Sequence, residues 1–409
     1  MSGRIAEGPL EVLQIYRLIK CISEEDKAFI EKMVKHGVEN LINLCEPEDG
    51  KTVLHAAVLT NNLDLVSFLL SKGAHPNTQD KEGRTPVMLA AELGNDRIVA
   101  LLAQSNANMS LQDVEGKGVL FYCIYPTKRH IRCLQWALKY RADANNVSAE
   151  GSHVFQLMCQ KAQECTPMCR IMLDAGADPN ATNQKSGITA LMEAARTGSV
   201  PLVRAILSRG GNPNALDQQR FTAVHFAAMG GFFEVIQVLS AYSADMDVIN
   251  CDECTPLHYA AASGNANCCK FLAQRGCNPK VKNREGLLPR QIAKDAGHKA
   301  AATELRKAER LNRDGGKSVG PMSEVWALKL HDWSNECETE LRQAFGNQSD
   351  TVTTEMFLSV LEALRAPVNL EQLQIIIAAH QKGKQGSLSI NDFIKGVKYV
   401  KKAIPSLCL

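Results

Sequence analysis

The stretch that decides the fold is Thr255–Ala261, which reads Thr-Pro-Leu-His-Tyr-Ala-Ala. Threonine can cap the free backbone N–H groups at a helix start, and proline at the first helical position gives up only an N–H that has no partner there. Gly264 follows shortly after, where a helix end favours the left-handed backbone conformation. The stretch therefore predicts a short capped helix, and its alanines leave room for a second helix to approach closely.

The same pattern recurs at a nearly constant interval along the chain. The aligned cap residues are Thr52, Thr85, Gly118, His153, Thr189, Thr222, Thr255 and Leu288. Each step between them is 33 residues except two, which are 35 and 36. A second apolar helix such as Val203–Leu207 follows each start, and a polar hairpin-like loop such as Gln79–Gly83, here called a finger, leads into the next unit. A register kept over eight units predicts a stack of helical repeats.

The motif Thr-Pro-Leu-His-x-Ala-Ala, a glycine, a second helix and a Gly-Ala-x-x-Asn turn together resemble the ankyrin repeat. The resemblance covers 48–310, about eight units, and implies an all-α solenoid. An atypical helical pattern within 1–47 is expected to act as an N-terminal cap on the first repeat, because terminal repeats cannot bury their outer face against a neighbour.

The third and fourth units depart from the pattern, since Gly118 and His153 replace the Thr-Pro signal and the connections are longer. Each repeat is stabilised by its neighbours, so a poor interface lowers local cooperativity. We expect a hinge or a partner-stabilised segment near 118–170.

In the ankyrin architecture the first helix of each unit and the preceding finger face the concave side. The residue after the motif histidine is then the exposed, variable position. In this chain those residues, here called the row residues, are Ala56, Leu89, Tyr122, Leu157, Glu193, Phe226 and Tyr259. The row is unusually apolar, and aromatic side chains are frequent binding anchors. We expect Leu89 to Tyr259 to contact a protein partner; alternatively, these side chains pack on one another across repeats.

Composition excludes several classes of function. A net charge of +2 with 22% charged residues gives no field that would attract nucleic acid or an anionic membrane. The sequence contains no apolar run long enough to span a bilayer and no signal peptide at its N-terminus. Its 14 cysteines are scattered, with several in apolar helical patterns, which favours a reducing compartment and predicts a cytoplasmic protein.

Some residues have types and spacings that are similar to those of a metal or catalytic site. His55, His225 and His258 recur at one motif position, and the resemblance assigns them a structural hydrogen bond to neighbouring loops. Cys251 and Cys254 have a zinc-like spacing, but Cys268 and Cys269 fall on the second helix of the same unit. The sequence contains no phosphate loop or nucleophile elbow in a suitable context, so we expect a protein that is not an enzyme.

The last quarter of the chain predicts a separate helical module at 323–403, after a glycine-rich linker at 311–322 and before a tail at 404–409. One helix face is predicted for five spaced residues, Trp326, Leu330, Trp333, Cys337 and Leu341. Two helix-loop-helix segments follow and resemble a pair of EF-hands joined by short strands at Val352 and Leu388. The order of modules resembles the ankyrin-repeat and EF-hand domain-containing protein family.

The EF-hand loops lack most calcium ligands. Calcium needs oxygen ligands at loop positions 1, 3, 5 and 12 and a glycine at position 6. In the second loop these positions are Gln381, Gly383, Gln385, Asp392 and Gly386. Position 12 of the first loop falls on Met356, which leaves Asp392 as a weak calcium candidate. We therefore expect no cofactor, and a non-catalytic scaffold or adaptor, with a calcium-responsive sensor as the alternative.

Overall fold

The structure is a computed structural model that describes residues 3–311, 325–346, 351–381, 387–396 and 399. The chain divides into two compact units, Met1–Ala190 and Leu191–Leu409. The predicted linker lies outside the described residues apart from Leu311, and the tail at 404–409 lies outside them entirely. None of the helices in the described ranges has the length and apolar character needed to cross a membrane.

The first unit begins with a helical pair and continues with helices of the first four repeats. Its α-helices are α1 Pro9–Ser23, α2 Lys27–His36, α3 Val53–Leu59, α4 Leu63–Ser71, α5 Pro86–Glu92, α6 Asp96–Gln104, α7 Lys128–Lys139, α8 Val154–Cys159 and α9 Ala162–Asp174. Two short 3-10 helices, Leu41–Asn43 and Val119–Cys123, complete its helical elements. The second of these replaces the first α-helix of the third repeat.

The second unit contains the remaining repeats and the C-terminal helices. Its first α-helix, α10 Ala190–Arg196, begins at the last residue of the first unit. The α-helices that follow are α11 Val200–Ser208, α12 Ala223–Gly230, α13 Phe233–Ala241, α14 Pro256–Ala262, α15 Ala266–Gln274, α16 Pro289–Asp295, α17 Lys299–Leu311, α18 Val325–Glu336, α19 Glu338–Phe345, α20 Thr354–Ala363, α21 Leu370–Gln381 and α22 Ile390–Ile394. Two strands, β1 Thr351–Thr353 and β2 Ser387–Ser389, pair antiparallel. The described part of the chain is thus mostly helical, which is consistent with the predicted all-α solenoid.

Every predicted repeat start is confirmed, because each aligned cap residue directly precedes a helix. Where the motif histidine is present, it takes part in the cap: in the seventh repeat the backbone N–H of Thr255 donates to Nδ1 of His258 at 3.0 Å. Gly264 has φ +74°, so it adopts the left-handed conformation predicted for the helix end. Local chemistry over a few residues therefore fixes where each repeat begins.

The C-terminal helices enclose a small apolar core. Phe357 and Phe393 lie at its centre with ring centroids 4.9 Å apart in a T-shaped arrangement. The five residues predicted to share one helix face all belong to it: Leu330 and Leu341 are buried, and the other three pack against it. Val352 pairs with Leu388 in the two-stranded sheet. Helix α18 also packs against α13, where Nζ of Lys329 lies 5.4 Å from the ring centroid of Tyr242.

Candidate functional site

The row residues sit four positions after each repeat's cap, on the first turn of a short helix. Their placement depends on the buried residue before them. His225, for example, is fully buried, and its Nδ1 accepts the backbone N–H of Thr222 at 3.1 Å. Fixing that turn directs the next side chain, Phe226, toward the surface, where it is partly exposed.

In the first unit, Tyr122 and Leu157 line one groove together with finger residues. The groove has a volume of about 290 Å³, and Val114 at its rim is 69% exposed. The hydroxyl of Tyr122 donates to Oδ2 of Asp113 at 2.6 Å, so the ring is held against the finger. Burial and this hydrogen bond raise the pKa of Tyr122 well above its usual value. The groove offers an apolar floor inside a charged rim, which suits a protein side chain.

In the second unit, Phe226 and Tyr259 form an aromatic cluster with Phe221. The centroid of the Phe221 ring lies 5.5 Å from that of Phe226 and 5.7 Å from that of Tyr259. The side chain of Asn250 donates from Nδ2 to the Tyr259 hydroxyl at 2.8 Å, and burial raises the pKa of Tyr259 to about 12. Phe226 and Tyr259 remain partly exposed, so packing across repeats leaves part of each ring accessible.

The expectation of an exposed row is wrong at two positions. Leu89 is 5% exposed, because α3 on one side and the Val119–Cys123 helix on the other pack against α5. Glu193 is 2% exposed and accepts a hydrogen bond from Nε of Arg196 at 2.7 Å. A buried carboxylate needs such a pairing with a cation. Because Glu193 is buried and paired with Arg196, it is not available to a protein partner. Both residues therefore support the repeat rather than present a surface.

Sequence reasoning missed the apolar residues of the fingers. Leu216 and Ile249 are 42% and 41% exposed and occupy the same place in successive fingers, 33 residues apart. Phe221 and Val114 were also missed. The available signal was an apolar side chain in an otherwise polar loop, repeated with the period of the array.

The histidines that imitate a metal site have structural partners. Nε2 of His55 lies 3.0 Å from the backbone oxygen of Arg84, and Nε2 of His225 lies 3.3 Å from that of Cys254, in each case one repeat further along. Burial lowers the pKa of His55, His225 and His258, and that of His225 falls to about 4. Within the described ranges, His, Cys, Asp and Glu form no group of three or more that could hold a metal ion.

The weak calcium candidate, Asp392, lies in the first turn of α22, where its backbone N–H donates to Oγ of Ser389 at 3.1 Å. The loop positions Gly383, Gln385 and Gly386 lie outside the described residues, as does the side chain of Gln381. Met356, at the last position of the first loop, lies in α20 and is 39% exposed.

Comparison with known proteins identifies the repeats. The chain is similar to part of the 2-5A-dependent ribonuclease of Homo sapiens, with 39% identity over 74 residues, 18% of this chain and 10% of that protein. It is similar to the transient receptor potential channel pyrexia of Drosophila melanogaster, with 29% identity over 127 residues, 31% of this chain and 13% of that protein. It is also similar to the nuclear factor NF-kappa-B p105 subunit of Gallus gallus, with 29% identity over 265 residues, 64% of this chain and 20% of that protein.

The chain thus spans at most a fifth of the length of these curated relatives. A family profile described as "Ankyrin repeats (3 copies)" matches residues 18–113, 120–217 and 191–283, more than half of the 409 residues. The capped helix pairs, the buried motif histidines and this match agree, and the chain belongs to the ankyrin-repeat family.

Proposed function

We propose that this protein is a non-catalytic scaffold or adaptor that binds a protein partner through the row residues and the neighbouring fingers. Ankyrin repeats generally serve protein interaction. The observation that carries the proposal is that partly exposed apolar side chains meet the fingers within each unit: Tyr122 and Leu157 in one groove, Phe226 and Tyr259 in one aromatic cluster. The catalytic activity named for the ribonuclease belongs to that protein, of which the match covers only a tenth.

The test begins with crosslinking mass spectrometry on the protein in cells, to identify the partner and the crosslinked positions. Binding of the purified partner is then measured to two variants, Leu157→Arg and Phe226→Arg. Each places a charge in a partly exposed apolar contact, so affinity should fall at least about 30-fold, as expected for a hot spot. The matched controls are Leu59→Arg and Leu93→Arg, at helix ends where the side chains are 52% and 48% exposed. If both row variants fold and keep full affinity, the row is not the binding surface.

We further propose that 323–403 forms an EF-hand-like pair that acts as a second docking module without calcium, with 1–47 as the cap and 48–310 as the repeats. The strand pairing of Val352 with Leu388 supports an EF-hand-like arrangement, since it joins the two helix-loop-helix segments. The calcium-sensor alternative is tested by calorimetric titration. We expect no sub-millimolar binding; a heat that disappears in Asp392→Ala would instead establish the sensor.

We also propose a cytoplasmic location. The described cysteines are free thiols and nearly all are buried, as suits a reducing compartment. A fluorescent fusion that enters a secretory compartment would contradict it.

A further inference from the structure

The last repeat carries a basic groove that the proposed function does not use. The groove has a volume of about 760 Å³ and is formed by the last finger, α16 and α17, all in the second unit. Six cationic side chains line it: Lys280, Lys282, Arg290, Lys294, Arg306 and Arg310. Among the described residues that line it, Glu309 is the one carboxylate. We refer to this set as the basic groove.

The charge of the basic groove is predominantly positive. Nε of Arg290 lies 3.0 Å and 2.9 Å from the two carboxylate oxygens of Glu309, so this acid is already engaged. The set carries six positive charges and one negative charge, a net +5, whereas the whole chain carries +2 and the remainder therefore −3. Lys282, Lys294, Arg306 and Arg310 are exposed and form no ion pair with any described residue.

A terminal repeat needs a polar outer surface for solubility, but that need does not explain one sign of charge. Interspersed acids and bases give the same solubility without repulsion between neighbouring cations. Cations held close together on two packed helices raise the free energy of the folded chain unless an anion joins them. The arrangement therefore points to an anionic ligand.

The lining also limits the kind of anion. Leu288 and Ala302 are half-buried and contribute apolar surface among the cations. Among the described residues that line the groove none is aromatic, so it offers no platform for stacking nucleic-acid bases. A mixed surface of cations and aliphatic groups suits a peptide that alternates acidic and apolar side chains.

We propose that the basic groove binds an acidic segment of a protein partner, whose carboxylates meet Lys294, Arg306 and Arg310 while an apolar side chain contacts Leu288 and Ala302. This surface is separate from the row residues. It gives the protein a further docking site, selected by charge and distinct from the proposed module at 323–403.

The test measures binding of the whole protein to a fluorescein-labelled peptide of repeated Glu-Glu-Leu triplets by fluorescence anisotropy. A peptide with glutamine in place of glutamate should bind at least about tenfold more weakly, and added NaCl should weaken the glutamate peptide. The combined variant Lys294→Glu, Arg306→Glu, Arg310→Glu should lose at least about tenfold in affinity.

The matched control is Lys27→Glu, Lys32→Glu, Lys35→Glu, which makes the same change in net charge at three exposed lysines outside the groove. It should keep nearly the wild-type affinity. If the reversed groove variant fails to fold by circular dichroism, the neutralising pair Lys294→Gln and Arg306→Gln replaces it, with a smaller loss in the same direction.

Three results would overturn the proposal. The wild-type protein could fail to bind the glutamate peptide, or the control could lose as much affinity as the groove variant. Alternatively, a labelled single-stranded oligonucleotide or a vesicle containing a phosphoinositide could bind more tightly than the peptide and depend on the same three cations. That last outcome would show that the groove binds phosphate groups rather than carboxylates.

Discussion

The regular pair formed by the sixth and seventh repeats differs from the irregular pair formed by the third and fourth. All four repeats begin at the same motif position, but different hydrogen bonds link the two members of each pair. In the sixth repeat, Nδ1 of His225 accepts the amide of Thr222, which leaves Nε2 to donate to the carbonyl oxygen of Cys254 in the seventh repeat. In the third repeat, Phe121 stands at the histidine position and the cap is Gly118.

The linking role in the irregular region passes to Asn146. Its Oδ1 accepts the backbone N–H of Gly118 at 2.6 Å, and its Nδ2 donates to the carbonyl oxygen of Gly116 at 3.1 Å. The comparison teaches that the repeat preserves the position of each helix while the hydrogen bonds that join neighbours can be replaced. Large apolar side chains such as Phe155, which is fully buried, also stabilise the irregular region.

The largest expected effect is on Phe155, which is fully buried in α8. Phe155→Ala should lower the free energy of unfolding by about 3–5 kcal/mol, because it opens a cavity in a packed core. Urea unfolding checks this, with Phe226→Ala in the regular region as the matched control. Since Phe226 is only partly buried, its loss should be smaller, and an equal or larger loss would contradict this account of the irregular repeats.

The next effect is a pH dependence that arises at buried histidines such as His225. Burial lowers the pKa of His225 from 6.5 to about 4, so the unfolded chain binds a proton that the folded chain resists. Stability is therefore complete above pH 6.5 and falls by about 3 kcal/mol as the pH drops toward 4. Urea midpoints across this range should depend less on pH in His225→Gln than in the wild type. A midpoint in His225→Gln that depends on pH as strongly as in the wild type would contradict this account.

A smaller effect tests the substitute link. Asn146→Ala leaves the buried amide of Gly118 without its acceptor, which should cost about 1–3 kcal/mol. Asn145→Ala is the neighbouring control, because Asn145 bonds exposed backbone of the fourth repeat instead. Equal losses in the two variants would show that Asn146 has no special role.

The smallest expected effect concerns the local stability of residues 118–170, which we predict to be lower than that of the flanking repeats. Native-state amide exchange should reveal opening free energies about 1 kcal/mol lower there than in the first two repeats of the same unit. Exchange no faster than in those repeats would remove the hinge prediction. The 3-10 helix at Val119–Cys123 and Pro167 inside α9 are consistent with weaker helices in this segment.

The sequence by itself determined the period, the eight repeat starts and the helix ends. These features depend on contacts within about four residues, such as Thr255 with His258, so they can be inferred without knowing what lies across the interface. The core positions of Leu330 and Leu341 were also predictable from the helical pattern, although the structure places them on two helices, α18 and α19, rather than on one.

Only the tertiary structure decided which row residues reach the surface. Leu89 and Glu193 occupy the same repeat position as Phe226 and Tyr259, yet the first pair is buried and the second pair is partly exposed. For Leu89 the difference arises from helices in the adjacent repeats, which a single motif does not contain. The basic groove has the same origin, since Lys294 and Arg310 lie on different helices and line one groove because α16 and α17 pack together.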